Sequence, residues 1–448
     1  MSETFAQALP LRSADGGPAR IAVVGAGVAG LGAAWLLARH YQVSLFEAGN
    51  YAGGHANTVE VTVEGITHPV DTGFLVFNRR TYPDLCGLFR ELEVPVVASD
   101  MSFAVSLTEP EIEWSGSNVA TLFAQAANLA RPAFWGMISD ILRFNRETTR
   151  LARDHAAPAV SLGEYLDANN YGDAFRHWYL LPMAAAIWSC PTAQMMAYPL
   201  ATFARFCHNH GLLQILDRPQ WLTVRGGSRE YVKRMVAGIQ SVRLSSPVQR
   251  VQRDERGVIV HSRHGEERFD ALVLACHSDQ ALRILGAAAT PAERAVLGAV
   301  KYQANRALLH TDPALLPRRE KVWSAWNYLA GQGDADSRPV SVSYLINQLQ
   351  PLPFKTPVTV SLNPFREPAP EKLLASFDYD HPVFDQAAID AQAHLPMLQG
   401  RQRTWFAGAW TGYGFHEDGL KSGVEVAAML GAVAPWRARA LDFAGLAS

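Results

Sequence analysis

The feature that most constrains this chain is Gly25-x-Gly27-x-x-Gly30, because of what flanks it. Ile21-Ala22-Val23-Val24 before it is short, apolar and rich in β-branched residues, the pattern of a strand buried on both faces. The run from Ala29 to Arg39 after it carries Leu31, Trp35, Leu36 and Ala38 at helical spacing. In a strand–turn–helix the first glycine permits the tight turn, and the second lets a pyrophosphate approach the backbone. The third lets the helix pack on the strand. The free N–H groups at the helix start, Ala29 among them, then face the phosphates. A second strand, Gln42 to Phe46, ends at Glu47, 22 positions after Gly25. A carboxylate there accepts a hydrogen bond from a ribose 2′-hydroxyl and repels a 2′-phosphate. The expected cofactor is FAD or NAD rather than NADP.

The next residues choose between them. The run Glu47-Ala48-Gly49-Asn50-Tyr51-Ala52-Gly53-Gly54-His55 resembles the extended motif of the flavin-containing amine oxidase and phytoene desaturase superfamily. There a Gly-Gly-Arg wraps the FAD pyrophosphate. His55 stands where the family has arginine, so one imidazole hydrogen bond replaces a charge contact. The resemblance implies FAD.

Three further stretches resemble the same superfamily in the same order. Asp71-Thr72-Gly73-Phe74 is similar to a turn that sits against the flavin, although the same residues suit a turn with no ligand. Trp221 to Cys276 is similar to the second FAD-binding segment, which implies that the main chain of Val248 holds the adenine. The strand ending at Ala275 runs back towards the cofactor, with Cys276-His277 where relatives have a proline. Thr404 to Gly423 resembles the closing element, which implies contacts from Gly408 and Ala409. It also implies a helix from about Gly419 and Leu420 whose N-terminus faces the flavin N1/C2=O edge. A helix N-terminus carries about half a positive charge, which suits that edge. No cysteine lies in the closing motif, so the FAD is expected to be non-covalent.

The expected fold is α/β. A Rossmann-like FAD-binding domain is built from discontinuous segments (19–80, 215–285 and 400–440). An α+β substrate-binding domain with a helical insertion takes 81–214 and 286–399, and 1–18 form a flexible lead-in. Its strands are expected at Arg306 to His310, Val340 to Ile346 and Val358 to Leu362. At 448 residues the chain is too long for one ordinary core. Hydrophobic content of 48% against 18% charged residues excludes a disordered chain. A net charge of −2 gives no footprint for nucleic acid. Residues 1–18 lack the apolar core of a signal peptide. Cys86, Cys190, Cys207 and Cys276 are scattered without metal-site spacing, which suits a cytoplasmic compartment. Arg143, Arg146, Arg150 and Arg153 fall near one helical face but interleave with Asp140, Glu147 and Asp154. This reads as a solvated, salt-bridge-laced surface rather than a membrane-surface helix, so membrane contact is at most peripheral.

The stretches Asp71 to Asn78, Asn209 to Leu213, His381 to Asp385 and Gly412 to Gly419 resemble a bacterial branch of predicted FAD-binding proteins associated with cyclopropane-type fatty acyl modification. The resemblance implies a hydrophobic or lipid substrate and removal of hydride from it, as in a desaturase. An amine oxidase and a redox-neutral isomerase or cyclase stand as alternatives. The superfamily's amine oxidases often place a lysine near flavin N5; here Asn305 or Arg306 falls in that register. Candidate pocket groups are Trp188, His208, His210, Tyr344, Tyr413 and His416, of which His210, Tyr413 and His416 are the catalytic candidates. His208 and His210 suit an acid/base pair, metal ligands or structural histidines; no metal is expected. Tyr413 and Phe415 either wall the ring or fill the core under the closing helix.

Overall fold

A computed structural model describes residues 11, 13, 16–154, 158–188, 195–212, 219–333 and 340–439. Most of the expected lead-in, and Cys190, lie outside the described residues. The fold is mixed α/β, built around two sheets.

The first sheet has five parallel strands in the order Ser241–Arg243, Gln42–Phe46, Arg20–Val24, Ala271–Leu274, Thr404–Phe406. Val23 pairs with Leu45 on one side and Val273 on the other, and Ile21, Ala22 and Val23 are fully buried. Strands covered on both faces read as continuous apolar runs, which is why this one was visible in the sequence. Helices Val28–Leu37 and His416–Met429 cover one face. The three-stranded antiparallel sheet Val248–Asp254, Gly257–Ser262 and Gly265–Phe269 covers the other, with helix Ser278–Leu285. The two helices on the first face touch through small residues. A Cβ on Gly32 would sit 2.7 Å from Leu420 Cδ1, and one on Gly423 would sit 2.1 Å from the Ala29 carbonyl oxygen.

The second sheet has seven strands in the order Leu373–Val383, Lys301–His310, Thr359–Leu362, Val340–Leu345, Trp326–Ala330, Phe103–Leu107, Ile112–Ser115. It is antiparallel except where Trp326–Ala330 runs parallel to Phe103–Leu107. The three expected strands are present, the first extended back to Lys301. The sequence reading has no strand at 103–115. The segment between is helical, with Pro132–Arg153, Leu162–Ala168, Leu181–Trp188 and Leu200–Asn209 the main helices.

The arginine-bearing helix differs from its expectation. Among the described residues, Arg143 alone of these arginines pairs with an acid on its own helix, at 2.9 Å from Asp140. Glu147 instead accepts from the hydroxyls of Tyr165 and Tyr171. The interleaving in sequence is therefore not interleaving in space.

Candidate functional site

The parallel strands end together on one edge, and there a cavity of about 840 Å³ opens against the second sheet and the helical segment. The carboxyl edge of such a sheet is where ligands bind in open α/β folds. Val24, Phe46, Ala275 and Gly408 bring it from the first sheet, and Ala307, Trp326, Tyr344 and Tyr379 from the second.

The glycine loop has the geometry its spacing demands. Gly25 adopts φ +100°, and a Cβ there would lie 2.7 Å from the Ala275 carbonyl oxygen. A Cβ on Gly30 would lie 1.8 Å from the Gly25 carbonyl oxygen, so no side chain fits. At Gly27 an added Cβ meets nothing, which is the space a phosphate would use. Glu47 anchors the loop: one carboxylate oxygen accepts from Ala26 N and the other from Gly49 N, both at 2.7 Å. Each oxygen keeps a lone pair for a sugar hydroxyl.

All the expected cofactor residues line the cavity except Gly30 and Leu420. Those two are corrected to packing positions, since Gly30 is pressed on Gly25 and Leu420 on Gly32. The closing helix also starts earlier than expected, at His416 rather than Gly419. Asp418 causes the shift by accepting from Phe415 N at 2.9 Å and Tyr413 N at 3.1 Å.

The Asp71 side chain does not face the cavity. It is buried and accepts from Ser228 N, Ser228 Oγ and Gln350 Nε2 at 2.7–2.9 Å, which ties the Thr72–Phe74 turn to the Gly226-Gly227-Ser228 loop. Burial pushes its carboxyl up to about 6 against those bonds. The aspartate positions the turn, and Thr72, Gly73 and Phe74 face the ligand space.

His210, Tyr413 and His416 all reach the cavity. His210 Nδ1 donates to the Phe206 carbonyl at 3.0 Å, which leaves Nε2 as an acceptor in the neutral ring. His416 Nε2 lies 2.6 Å from the Tyr231 hydroxyl, and its ring stacks on Phe74 at 3.9 Å. Burial lowers His210 to about 4 and His416 to about 3, so both imidazoles are neutral. Tyr413 joins an aromatic wall. Phe206 stacks on His210 at 4.0 Å and on Phe415 at 4.9 Å, and meets Trp188 at 4.6 Å and Tyr413 at 5.8 Å.

Trp188 and Tyr344 also line the cavity, whereas His208 does not. Helical backbone through Asn209 turns His208 away from His210, so the expected i, i+2 pair does not form. Of the two residues in the lysine register, neither reaches the cavity. Arg306 pairs outward with Glu367, and Asn305 bonds to Gln303 and Asn363. Lys301 faces outward beside Asp385, and among the described residues no lysine lines the cavity.

Sequence reasoning missed a group of rings beside His55. His55 stacks on Tyr379 at 4.8 Å and lies 5.3 Å from His381, while His277 stacks on Tyr302 at 4.4 Å. Burial holds His55 well below its ordinary value and His381 at about 4. His55 Nε2 is buried with no hydrogen-bond partner among the described residues. The Cys276-His277 ending and the His381 to Asp385 stretch were the signals, but each is silent about the other.

Residues 28–302 match the family described as flavin containing amine oxidoreductase. The chain belongs to this family. Its cofactor is FAD, and the open space at Gly27, the two-handed Glu47 and the unpartnered His55 nitrogen fit a dinucleotide with a diphosphate at its centre. The chain is 27% identical over 322 residues to a carotenoid phi-ring synthase of Streptomyces griseus, an alignment covering 67% of this chain and 59% of that protein's length. The fold is similar to cyclohexylamine oxidase of Brevibacterium oxydans, with TM-score 0.67, 16% identity, and 93% and 99% of the two chains covered. It is also similar to a CLA-producing fatty acid isomerase of P. acnes, with TM-score 0.64, 14% identity, and 92% and 98% covered. At these identities the likeness concerns the fold. No helix among the described residues is long and apolar enough to cross a membrane.

Proposed function

We propose that this FAD-dependent oxidoreductase acts on a fatty acyl chain, removing hydride from an apolar carbon chain as a desaturase does. The observation that carries the reading is the cavity wall formed by Met101, Ile187, Trp188, Phe206, Leu212, Tyr413 and Phe415. It is aliphatic and aromatic, and the two histidines on it are neutral. Such a wall gains by covering hydrocarbon and excludes water from the reacting carbon. The flavin supplies a hydride acceptor when bound. The chain's own part is to hold the substrate and handle protons. His210 presents an acceptor at Nε2 and His416 a donor at Nδ1, and Tyr413 orients the chain from the wall.

The absence of a cavity lysine among the described residues favours a second reading, redox-neutral isomerisation, over amine oxidation. The test is anaerobic mixing of the FAD-loaded enzyme with acyl compounds or amines while the flavin's visible absorbance is followed. Bleaching by acyl compounds alone supports desaturation. Bleaching by amines overturns it, and conversion of an acyl compound to an isomer without net bleaching replaces it with isomerisation.

A further inference from the structure

The helix Pro132–Arg153 presents to solvent, beyond its first turn, a stripe on which Trp135, Ser139, Leu142, Arg146, Arg150 and Arg153 are all exposed. At about 100° per residue these six fall within about 80° of the helix circumference and extend for about 27 Å. Trp135 is 49% and Leu142 52% exposed. Beside them, the Trp135 indole donates to the Leu129 carbonyl at 3.0 Å and its ring lies 5.3 Å from Phe123, while Leu129 is itself 54% exposed. One end of the stripe is therefore an indole with aliphatic neighbours, and the other end is three guanidinium groups.

The acids of the helix do not neutralise it. Asp140 and Glu147 lie about 120–140° round the helix from Trp135. Asp140 is occupied by Arg143 and Gly172 N, and Glu147 by two tyrosine hydroxyls. Asp154 sits at the C-terminal cap. Among the described residues no carboxylate pairs with Arg146, Arg150 or Arg153.

We propose that this stripe docks the protein on an anionic lipid bilayer. An indole and leucines enter the headgroup boundary, and arginines whose aliphatic stems lie along the surface reach the phosphates. The charge complementarity selects an anionic surface over a zwitterionic one. The buried face of the same helix is continuous with the cavity wall. Phe144 packs edge-on to Phe203 at 6.2 Å, and Phe203 lies 5.9 Å from Trp188, which lines the cavity. Docking here would set that wall close to the membrane. The assignment does not rest on the acyl reading, because vesicle binding without acyl turnover leaves the surface standing and removes only that reading.

The experiment is co-sedimentation of the FAD-loaded protein with vesicles of phosphatidylcholine alone and of phosphatidylcholine mixed with phosphatidylglycerol. The wild type should partition onto the anionic vesicles. Arg146→Gln, Arg150→Gln and Arg153→Gln together should weaken this by about a hundredfold, roughly fivefold per arginine. Replacing the same three by lysine should preserve it. Trp135→Ser with Leu142→Ser should weaken the part of binding that persists at high salt. Retained flavin absorbance and an unchanged unfolding temperature show that each variant is folded. Equal binding to both vesicle types, or triple-glutamine binding equal to wild type, overturns the proposal. So does a dimer in solution that buries Trp135.

Discussion

Tyr231 and His416 fix each other's protons. Tyr231 is fully buried and His416 half-buried at the cavity; desolvation raises the Tyr231 phenol well above its ordinary value and holds His416 at about 3, so neither ionises near neutral pH. The hydroxyl must then donate to His416 Nε2 across 2.6 Å, since the reverse would leave the phenolic proton without an acceptor. The imidazole is thereby the Nδ1–H tautomer.

Tyr231→Phe should accordingly cost about 0.5–1.5 kcal/mol of stability, because the hydrogen bond to His416 Nε2 is lost. Urea unfolding measures the loss. Nitrogen chemical shifts of His416 should lose the single-tautomer signature, and a variant that keeps it contradicts the pairing.

Gly27 and Gly30 should respond oppositely to the same added methyl. Gly30→Ala drives a Cβ to 1.8 Å from the Gly25 carbonyl oxygen and should prevent folding of the first sheet. Gly27→Ala meets no protein atom, at a φ of −70° that alanine adopts freely. It should leave the apoprotein's stability within about 0.5 kcal/mol of wild type and weaken FAD. Calorimetry of the apoprotein with an FAD titration separates the two; equal FAD affinity for Gly27→Ala would contradict the assigned phosphate space.

Glu47→Gln should reduce FAD affinity roughly 10–100-fold, on the basis of about 1.5–3 kcal/mol for hydrogen bonds to a charged group. Both carboxylate oxygens accept from backbone N–H groups. An amide has one accepting end, so its NH2 would oppose either Ala26 N–H or Gly49 N–H. Quenching of flavin fluorescence on titration into apoprotein reads the change.

Glu417 gives the pH dependence a defined sign. It is buried, accepts from Asp84 N at 2.7 Å and Leu85 N at 3.0 Å, and burial raises it to about 7. A carboxyl raised on folding binds its proton more tightly in the native state. Its contribution is therefore fully present below about 4.5 and lost as pH rises through about 7. The stability difference between wild type and Glu417→Gln should move in favour of wild type by roughly 3 kcal/mol as pH falls across that window. Unfolding curves at several pH values check it, and a difference that does not vary contradicts the raised carboxyl.

What the sequence revealed was local. Gly25, Gly27, Gly30 and Glu47 belong to one strand–turn–helix–strand, so their spacing alone predicts where they meet. The closing helix was placed three residues late, although the signal was present: Asp418 stands three residues after Phe415, the position from which an acid caps a helix start. The edge strand Ile112–Ser115 pairs only with its neighbour Phe103–Leu107, but Phe103–Leu107 itself joins the sheet through a parallel partner more than 200 residues away at Trp326–Ala330. No window of sequence contains that pairing. The meeting of His55 with His381 is hidden for the same reason. The arginine helix failed differently. Alternating signs in a list of residues became separate faces once each residue was turned by about 100°.

The first sheet takes its strands from residues 20 to 406, and the helix that packs against Val28–Leu37 ends at Met429. As the chain leaves the ribosome, the glycine loop and its helix emerge early, but the helix they pack against is made near the end. Synthesis therefore imposes an order on this protein. The nucleotide site is complete only once Gly408, Ala409 and Gly419, which line it, have been made.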